Sequence, residues 1–166
     1  MATTENLQAA FSGESQANRK YLAFAKKAEA DGFPQVAKLF RAAAEAETVH
    51  AHAHLRVLKG VQGTADNLQA AIEGEAYEFQ KMYPQFVTEA EQEGAQGAVN
   101  SFRLAMAVEK THHGLYTQAL QAIKSGKDLP AATIWVCSVC GHTVAGEAPD
   151  KCPVCGATRQ KFAAVA

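Results

Sequence analysis

The sequence predicts a mainly α-helical protein in which a four-helix bundle is followed by a small four-cysteine metal-binding domain. Three observations carry this prediction. Residues 1 to about 127 are rich in Ala, Glu, Gln, Lys and Leu and contain only two prolines, as in long helices. All four cysteines fall after residue 136, in a segment of Gly, Pro and β-branched residues. Glu-x-x-His occurs twice in the helical part.

Composition excludes several classes of protein. The 166 residues are 48% hydrophobic and 20% charged, with a formal net charge of −1, so the chain is not a disordered one. Sixteen basic residues are balanced by 17 acidic ones, so we expect no nucleic-acid partner. No apolar run approaches the ~20 residues of a membrane span, and the first residues lack the pattern of a signal peptide. We therefore expect no membrane partner and a cytoplasmic location, where disulfides rarely persist.

Turn residues separate four helical segments. The predicted segments are about Thr4–Ala30, Pro34–Lys59, a stretch that follows Thr64-Ala-Asp-Asn and ends at Glu93, and Gln96–Lys124. Pro34 is a favourable first-turn residue, whereas Pro84 lies inside the third segment, where we expect a kink. Four long helices of similar length predict a bundle. We place the domains at residues 1–127 and 131–166.

The helical part repeats itself, which bears on function. Ala10-Phe-Ser-Gly-Glu14 is echoed by Ala71-Ile-Glu-Gly-Glu75, and Glu47-Thr-Val-His50 is echoed by Glu109-Lys-Thr-His112. Each half therefore supplies one Glu on its first helix and a Glu-x-x-His on its second. Such a duplication predicts a site with pseudo-twofold symmetry.

Helical periodicity places five glutamates and two histidines on apolar helix faces. These seven predicted ligands are Glu14, Glu47, His50, Glu75, Glu78, Glu109 and His112. Buried carboxylates without positive partners are costly, and too few Lys or Arg side chains share these faces, so we predict two metal ions. The di-iron pattern of ferritin-like bundles has one Glu from each of two helices and a Glu-x-x-His from each of the other two. Oxygen and imidazole ligands suit iron or manganese.

Three neighbouring residues complete this prediction. His113 competes with His112, because the i+4 position also faces the site, and we prefer His112 for its i+3 spacing. Tyr21 and Tyr83 are candidates for hydrogen bonds to the site carboxylates, with packing as core aromatic residues as the alternative.

The cysteines follow a C-x2-C, x11, C-x2-C pattern formed by Cys137, Cys140, Cys152 and Cys155. This spacing predicts a tetrahedral four-thiolate site, since each C-x2-C loop turns two sulfurs toward one ion. Iron and zinc both accept four thiolates, so the pattern leaves the metal open. Zinc, which has no redox chemistry, would make this domain a structural ribbon.

Taken together, these motifs resemble those of the rubrerythrin family. The resemblance covers essentially the whole chain. Besides the Glu-x-x-His and cysteine motifs, it rests on Ala10-Phe-Ser-Gly-Glu-Ser-Gln-Ala17, Gly74-Glu-Ala-Tyr-Glu-Phe79, Lys81-Met-Tyr-Pro84 and Cys152-Pro153. It implies a ferritin-like di-iron bundle whose seven ligands are those named above, with Glu47 and Glu109 as bridging carboxylates. It also implies a rubredoxin-like domain with one iron on the four cysteines.

The resemblance further implies that the protein is a peroxidase. Hydrogen peroxide would be reduced at the di-iron site, and the four-cysteine iron would relay electrons to that site from an upstream reductase or rubredoxin. Glu78 and His50 would exchange as ligands between the two oxidation states. Two alternatives are a ferroxidase or iron-handling protein, and a zinc-ribbon binding module without redox activity.

The connection between the second and third helices bears on assembly. In ferritin-like bundles these helices run parallel, so their connection must travel about 35 to 40 Å. Gly60 to Asp66 spans at most about 24 Å. We therefore expect a homodimer in which the first two helices of one chain pack with the last two of another. An unswapped up-down-up-down bundle is the alternative.

Overall fold

A computed structural model describes residues 2–165. The chain divides into two compact units, the first ending at Gln62 and the second beginning at Gly63. Within the described residues, every helix is too short or too polar to cross a bilayer.

The first unit is a helical hairpin of α1 (Ala2–Ala30) and α2 (Pro34–Val57). Gly32 has a positive φ of 85°, and the N–H of Phe33 donates to the carbonyl of Ala28, as at many helix ends. The prediction for these helices is confirmed to within two residues at each end. Their contact is made largely by small buried residues, which let the helices approach closely: Ala25, Ala28, Ala37, Ala44 and Ala51.

The helices of the second unit are α3 (Thr64–Tyr77), α4 (Tyr83–Gln92) and α5 (Gln96–Lys124). A π-helical turn, Glu78–Met82, joins α3 to α4, so these elements together form the predicted third helix. It begins at Thr64, earlier than expected. The fourth predicted helix, α5, has the predicted bounds and packs against both α3 and α4.

The irregularity predicted at Pro84 takes the form of a π-helical turn. The irregularity lies before the proline, where the N–H of Tyr83 donates to the carbonyl of Glu78, five residues back. Pro84 has no N–H to donate, and its ring would clash with the carbonyl of Gln80 in a regular α-helix. The wider turn thus accommodates the proline without ending the helix.

The second unit ends in a three-stranded antiparallel sheet with the order β2-β1-β3. Its strands are β1 (Ile134–Cys137), β2 (Thr143–Ala145) and β3 (Phe162–Ala164). The buried core consists of Cys137, Ala148, Cys152 and Phe162, with Trp135 packed against it. The core of this module is thus built around two of the four cysteines.

The internal repeat is visible in the packing of both units. In the first unit the rings of Tyr21, Phe24 and Phe40 form a cluster, with centroids 5.6 to 6.3 Å apart. The second unit has the equivalent cluster of Tyr83, Phe86 and Phe102. Ion pairs repeat as well, between Arg41 and Glu29 and between Arg103 and Glu91.

Candidate metal centres

The first unit brings together three of the predicted ligands. Glu14 lies on α1, and Glu47 and His50 lie three residues apart on α2, so that one helix turn aims both toward α1. Nδ1 of His50 is 3.1 Å from Oε2 of Glu47 and 4.0 Å from Oε1 of Glu14. One ligand atom from each residue lies within 4.8 Å of the others. This spacing suits a single metal ion bound by all three.

The two carboxyl groups of this cluster perturb each other. A hydrogen bond with Glu47 raises the pKa of Glu14, and burial adds to the effect. The pKa of Glu47 is lowered because its carboxylate accepts hydrogen bonds from Glu14 and from His50. A cation bound to both carboxyl groups would offset the repulsion between their charged forms.

The second unit repeats the arrangement with Glu75 on α3 and with Glu109 and His112 on α5. Nδ1 of His112 is 2.8 Å from Oε2 of Glu109 and 3.8 Å from Oε1 of Glu75. The ligand atoms again lie within 4.8 Å of one another. His112 is less exposed than its counterpart, since 25% of its side chain is accessible against 55% for His50.

Burial and like charge act more strongly in the second cluster. Burial, followed by the charge of Glu109, raises the pKa of Glu75 to about 7. The same two causes raise the pKa of Glu78. A bound cation would favour the charged forms of both carboxyl groups.

The remaining predicted residues lie outside the two compact groups: Glu78, His113, Tyr21 and Tyr83. Glu78 begins the π-helical turn, close enough to Glu109 for the two charges to interact, although the compact group of three does not include it. The ring of His113 lies edge-on to Phe79, with centroids 5.5 Å apart. Tyr21 and Tyr83 each pack in the aromatic clusters described above. Burial, then the charge of Glu78, raises the pKa of Tyr83.

The four cysteines converge at one point of the module. Sγ of Cys137 is 3.7 Å from that of Cys155, and Sγ of Cys140 is 3.6 Å from that of Cys152. These separations are too long for disulfides and match the edge of a tetrahedron of thiolates around a metal ion, about 3.8 Å. Each C-x2-C loop, or knuckle, ends in a glycine that follows its second cysteine and has a positive φ. These glycines are Gly141 and Gly156.

The thiols of this cluster have unequal proton affinities. Burial opposes ionisation of Cys137, yet backbone N–H groups of Cys140 and Val139 lower its pKa to about 7. Burial raises the pKa of Cys140 to about 12. A metal ion supplies the positive charge that lets all four ionise together.

One contact of the second cluster is made by a residue that the sequence patterns did not single out. Oγ1 of Thr143, on β2, lies 3.0 Å from Nε2 of His112. Thr143 follows the knuckle of Cys140 by three residues, but motif spacing gives no signal that β2 lies beside α5.

Two models of known protein families match this chain. The family model described as Rubrerythrin matches residues 5–120, and the one described as Rubrerythrin, rubredoxin-like domain, matches residues 135–163. The chain belongs to the rubrerythrin family. Rubrerythrin-2 of Clostridium acetobutylicum is 35% identical over 98% of this chain and 96% of its own length. Nigerythrin of Nitratidesulfovibrio vulgaris is 34% identical, covering 98% of this chain and 86% of its own length.

Solved rubrerythrin-family structures agree with this assignment. Nigerythrin in a partially reduced state superposes with a TM-score of 0.60 at 33% identity, covering 98% of this chain and 86% of that one. Its fully reduced, all-ferrous state gives the same TM-score and identity. The predicted fold class, a ferritin-like helical part followed by a rubredoxin-like domain, is confirmed. The two Glu-Glu-His clusters are candidate di-iron ligands, and the four cysteines form a rubredoxin-like site.

Proposed function

We propose that this protein is a peroxidase that reduces hydrogen peroxide to water. The reaction consumes two electrons and two protons for each peroxide and releases two molecules of water. The electrons would come one at a time from an external reductase or rubredoxin, and Cys137, Cys140, Cys152 and Cys155 would hold the iron that relays them. A reducing compartment, the cytoplasm, suits four cysteines that must remain thiolates.

The observation that carries the proposal is the presence of two kinds of redox-metal site in one rubrerythrin-family chain. Carboxylate and imidazole clusters suit a pair of irons that can each give one electron to peroxide. The four-thiolate cluster suits an iron that accepts and donates single electrons. Reduction of peroxide takes two electrons, whereas the four-cysteine iron would supply one at a time, so the reaction requires both sites. This requirement gives the four-cysteine module its role.

Glu78 and His50 are proposed to exchange as ligands during the cycle. An anionic carboxylate favours the harder ferric ion, and a neutral imidazole favours the ferrous one. Burial and the charge of Glu109 raise the pKa of Glu78, which supports this role because a nearby cation would favour the carboxylate form. Glu78 would then bind most strongly when the cluster carries the most positive charge.

The decisive experiment is rapid mixing of the anaerobically reduced, iron-loaded protein with hydrogen peroxide or with dioxygen. We expect peroxide to restore the ferric-thiolate colour many times faster than dioxygen does. Equal rates would favour a ferroxidase. Metal analysis that finds zinc on the cysteines, with no colour that bleaches on reduction, would favour the binding module.

We further propose a homodimer with exchanged helix pairs. The connection between α2 and α3 has six residues and reaches at most about 20 Å. The 24 residues of α2 extend about 36 Å, the distance that a parallel third helix requires of its connection. Each unit supplies one complete Glu-Glu-His group, and half of the His50 side chain is exposed. These features support a site in which the first unit of one chain faces the second unit of another.

A further inference from the structure

The four-cysteine module contacts α5 beside the second cluster through residues that directly follow its first cysteine pair. Gly141, which follows Cys140, comes so close to α5 that a Cβ on it would lie 3.8 Å from Cγ1 of Val108. Thr143 lies two residues further on, at the start of β2, and its hydroxyl oxygen is 3.0 Å from Nε2 of His112. The contact lies within the second unit, so both partners belong to one chain.

The direction of the hydrogen bonds in this contact follows from the chemistry of His112. Its Nδ1 faces the carboxylates of Glu109 and Glu75, where it is placed to bind a metal. A neutral imidazole that binds a metal through Nδ1 carries its proton on Nε2. That N–H therefore donates to Oγ1 of Thr143, whose own proton is directed to the carbonyl of Gly141, 3.1 Å away.

We propose that Thr143 is a positioning residue that orients His112 and completes the path for electrons from the module to the second metal-binding cluster, which lies in the same chain. The path runs from Cys140 through its peptide bond to Gly141, across the two hydrogen bonds of the Thr143 hydroxyl, and into the imidazole of His112. The role in electron transfer rests on the proposed function, whereas the orienting role does not. In each transfer the ferrous four-cysteine iron loses one electron, and one ferric ion of the cluster gains it.

Within residues 2–165, the ring of His50 makes no hydrogen bond to a hydroxyl group. It contacts Glu47 and Glu14, and half of its side chain is exposed. The repeat thus supplies two similar metal-binding groups, of which one has a hydroxyl that links it to the cysteines. Electrons therefore enter the di-iron site through the second unit.

The test compares Thr143→Val, which keeps the shape and removes the hydroxyl, with Thr143→Ser, which keeps the hydroxyl. Thr117→Val is the matched control, because the Thr117 hydroxyl on α5 bonds only its own helix, at the carbonyl of His113. Each fully reduced, iron-loaded variant is mixed with one equivalent of hydrogen peroxide per di-iron site. Oxidation of the di-iron site and the later return of the ferric-thiolate colour are followed separately.

We expect Thr143→Val to slow the return of colour about tenfold or more, as when other groups that orient metal-binding histidines are removed, and to slow the first step less. Thr143→Ser and Thr117→Val should behave as the original protein. Equal rates of colour return in Thr143→Val would overturn the electron path.

A second measurement does not depend on turnover. In the zinc-loaded protein, nuclear magnetic resonance should detect a slowly exchanging Nε2–H of His112, which is retained in Thr143→Ser and lost to exchange with water in Thr143→Val. Persistence of this signal in Thr143→Val would overturn the orienting role. If peroxide oxidises none of the variants, the proposed peroxidase function and the electron path both fail, while the resonance experiment still decides the role of Thr143 toward His112.

Discussion

Cys140 belongs to the cysteine cluster and directly precedes Gly141, which contacts α5. Its sulfur lies 3.6 Å from that of Cys152, and its carbonyl carbon is bonded to Gly141. Replacing the sulfur changes the four-thiolate site and leaves both Glu-Glu-His clusters intact. The two halves of the proposed reaction can therefore be separated at this residue.

Cys140→Ser should leave a single oxidation of the pre-reduced di-iron site by peroxide at its original rate. Steady turnover with an external electron donor should fall at least about a hundredfold, because the carrier of single electrons is lost. Stopped-flow and steady-state assays of the same preparation measure both. Ser138→Ala is the control, since it changes an exposed residue of the same knuckle. Undiminished steady turnover in Cys140→Ser would show that electrons bypass the cysteines.

Glu75 provides a prediction for the metal-free protein. The pKa of its carboxyl is about 7 when folded, above its ordinary value of 4.5, so the folded protein binds more protons than the unfolded chain between these pH values. The stabilisation is complete below pH 4.5 and is lost as the pH rises through 7. We expect the free energy of unfolding to fall by about 1 kcal/mol between pH 5 and pH 8, after a discount for partial solvation.

Glu75→Gln should flatten this dependence, as measured by urea unfolding at several pH values. Glu73→Gln changes an exposed carboxyl on the same helix and should preserve the slope. A slope that is unaltered in Glu75→Gln would place its origin elsewhere. Saturating metal should remove the slope from the original protein, because a bound cation displaces the proton.

The π-helical turn is the element in which the two halves of the repeat differ most. Tyr21 follows Glu14 by seven positions, whereas Tyr83 follows Glu75 by eight. A π-helical turn accommodates one residue more than an α-helical turn. The equivalent tyrosines can thus occupy equivalent aromatic clusters despite the unequal spacing. The turn also begins at Glu78, the carboxylate that has no counterpart in the first half.

Deletion of Gln80 tests this account, since it restores the seven-residue spacing. The deletion alone should destabilise the metal-free protein by about 3 kcal/mol, because the proline would then lie in a regular helix. Adding Pro84→Ala should recover most of that stability, whereas Pro84→Ala by itself should have little effect. Thermal unfolding followed by circular dichroism measures all three.

The same double variant should remain impaired in peroxide reduction, because Glu78 would no longer begin a π-helical turn. Peroxide assays of the refolded, iron-loaded protein check this expectation. Full activity in the double variant would mean that the turn serves only to accommodate the proline.

Sequence patterns predicted some features of these elements and missed others. The helix bounds and the two Glu-Glu-His groups were predictable, because helical periodicity fixes which residues share a face, and i+3 spacing aligns Glu109 with His112. The π-helical turn was not predicted, although the extra residue before Tyr83 was its signal. The bond of Thr143 to His112 could not be predicted, because it depends on how a strand packs against a helix distant in sequence.

At the scale of the whole molecule, the duplication yields two units that each hold one metal-binding group. The cysteine module belongs to the second unit, so this unit holds both the four-cysteine group and one Glu-Glu-His group. In the proposed dimer each complete di-iron site takes one group from each chain. The dimer then has two equivalent sites, as twofold symmetry requires.

This arrangement makes a prediction that an unswapped protein cannot fulfil. Glu47→Ala damages the group of the first unit, and Glu109→Ala damages the equivalent group of the second. Each variant alone should be inactive in peroxide reduction, since every site of its homodimer lacks one bridging carboxylate. The two variants are then unfolded, mixed in equal amounts and refolded with iron.

In a swapped heterodimer, one site combines both damaged groups, and the other combines the two intact groups. Random pairing makes half of the dimers mixed, so the mixture should regain about a quarter of the original activity. Each variant refolded only with itself is the control and should regain none. If each chain instead supplied both groups of its own site, every site in the mixture would carry one substitution and no activity would return. The recovered fraction therefore measures directly whether the first unit of one chain and the second unit of another build the site.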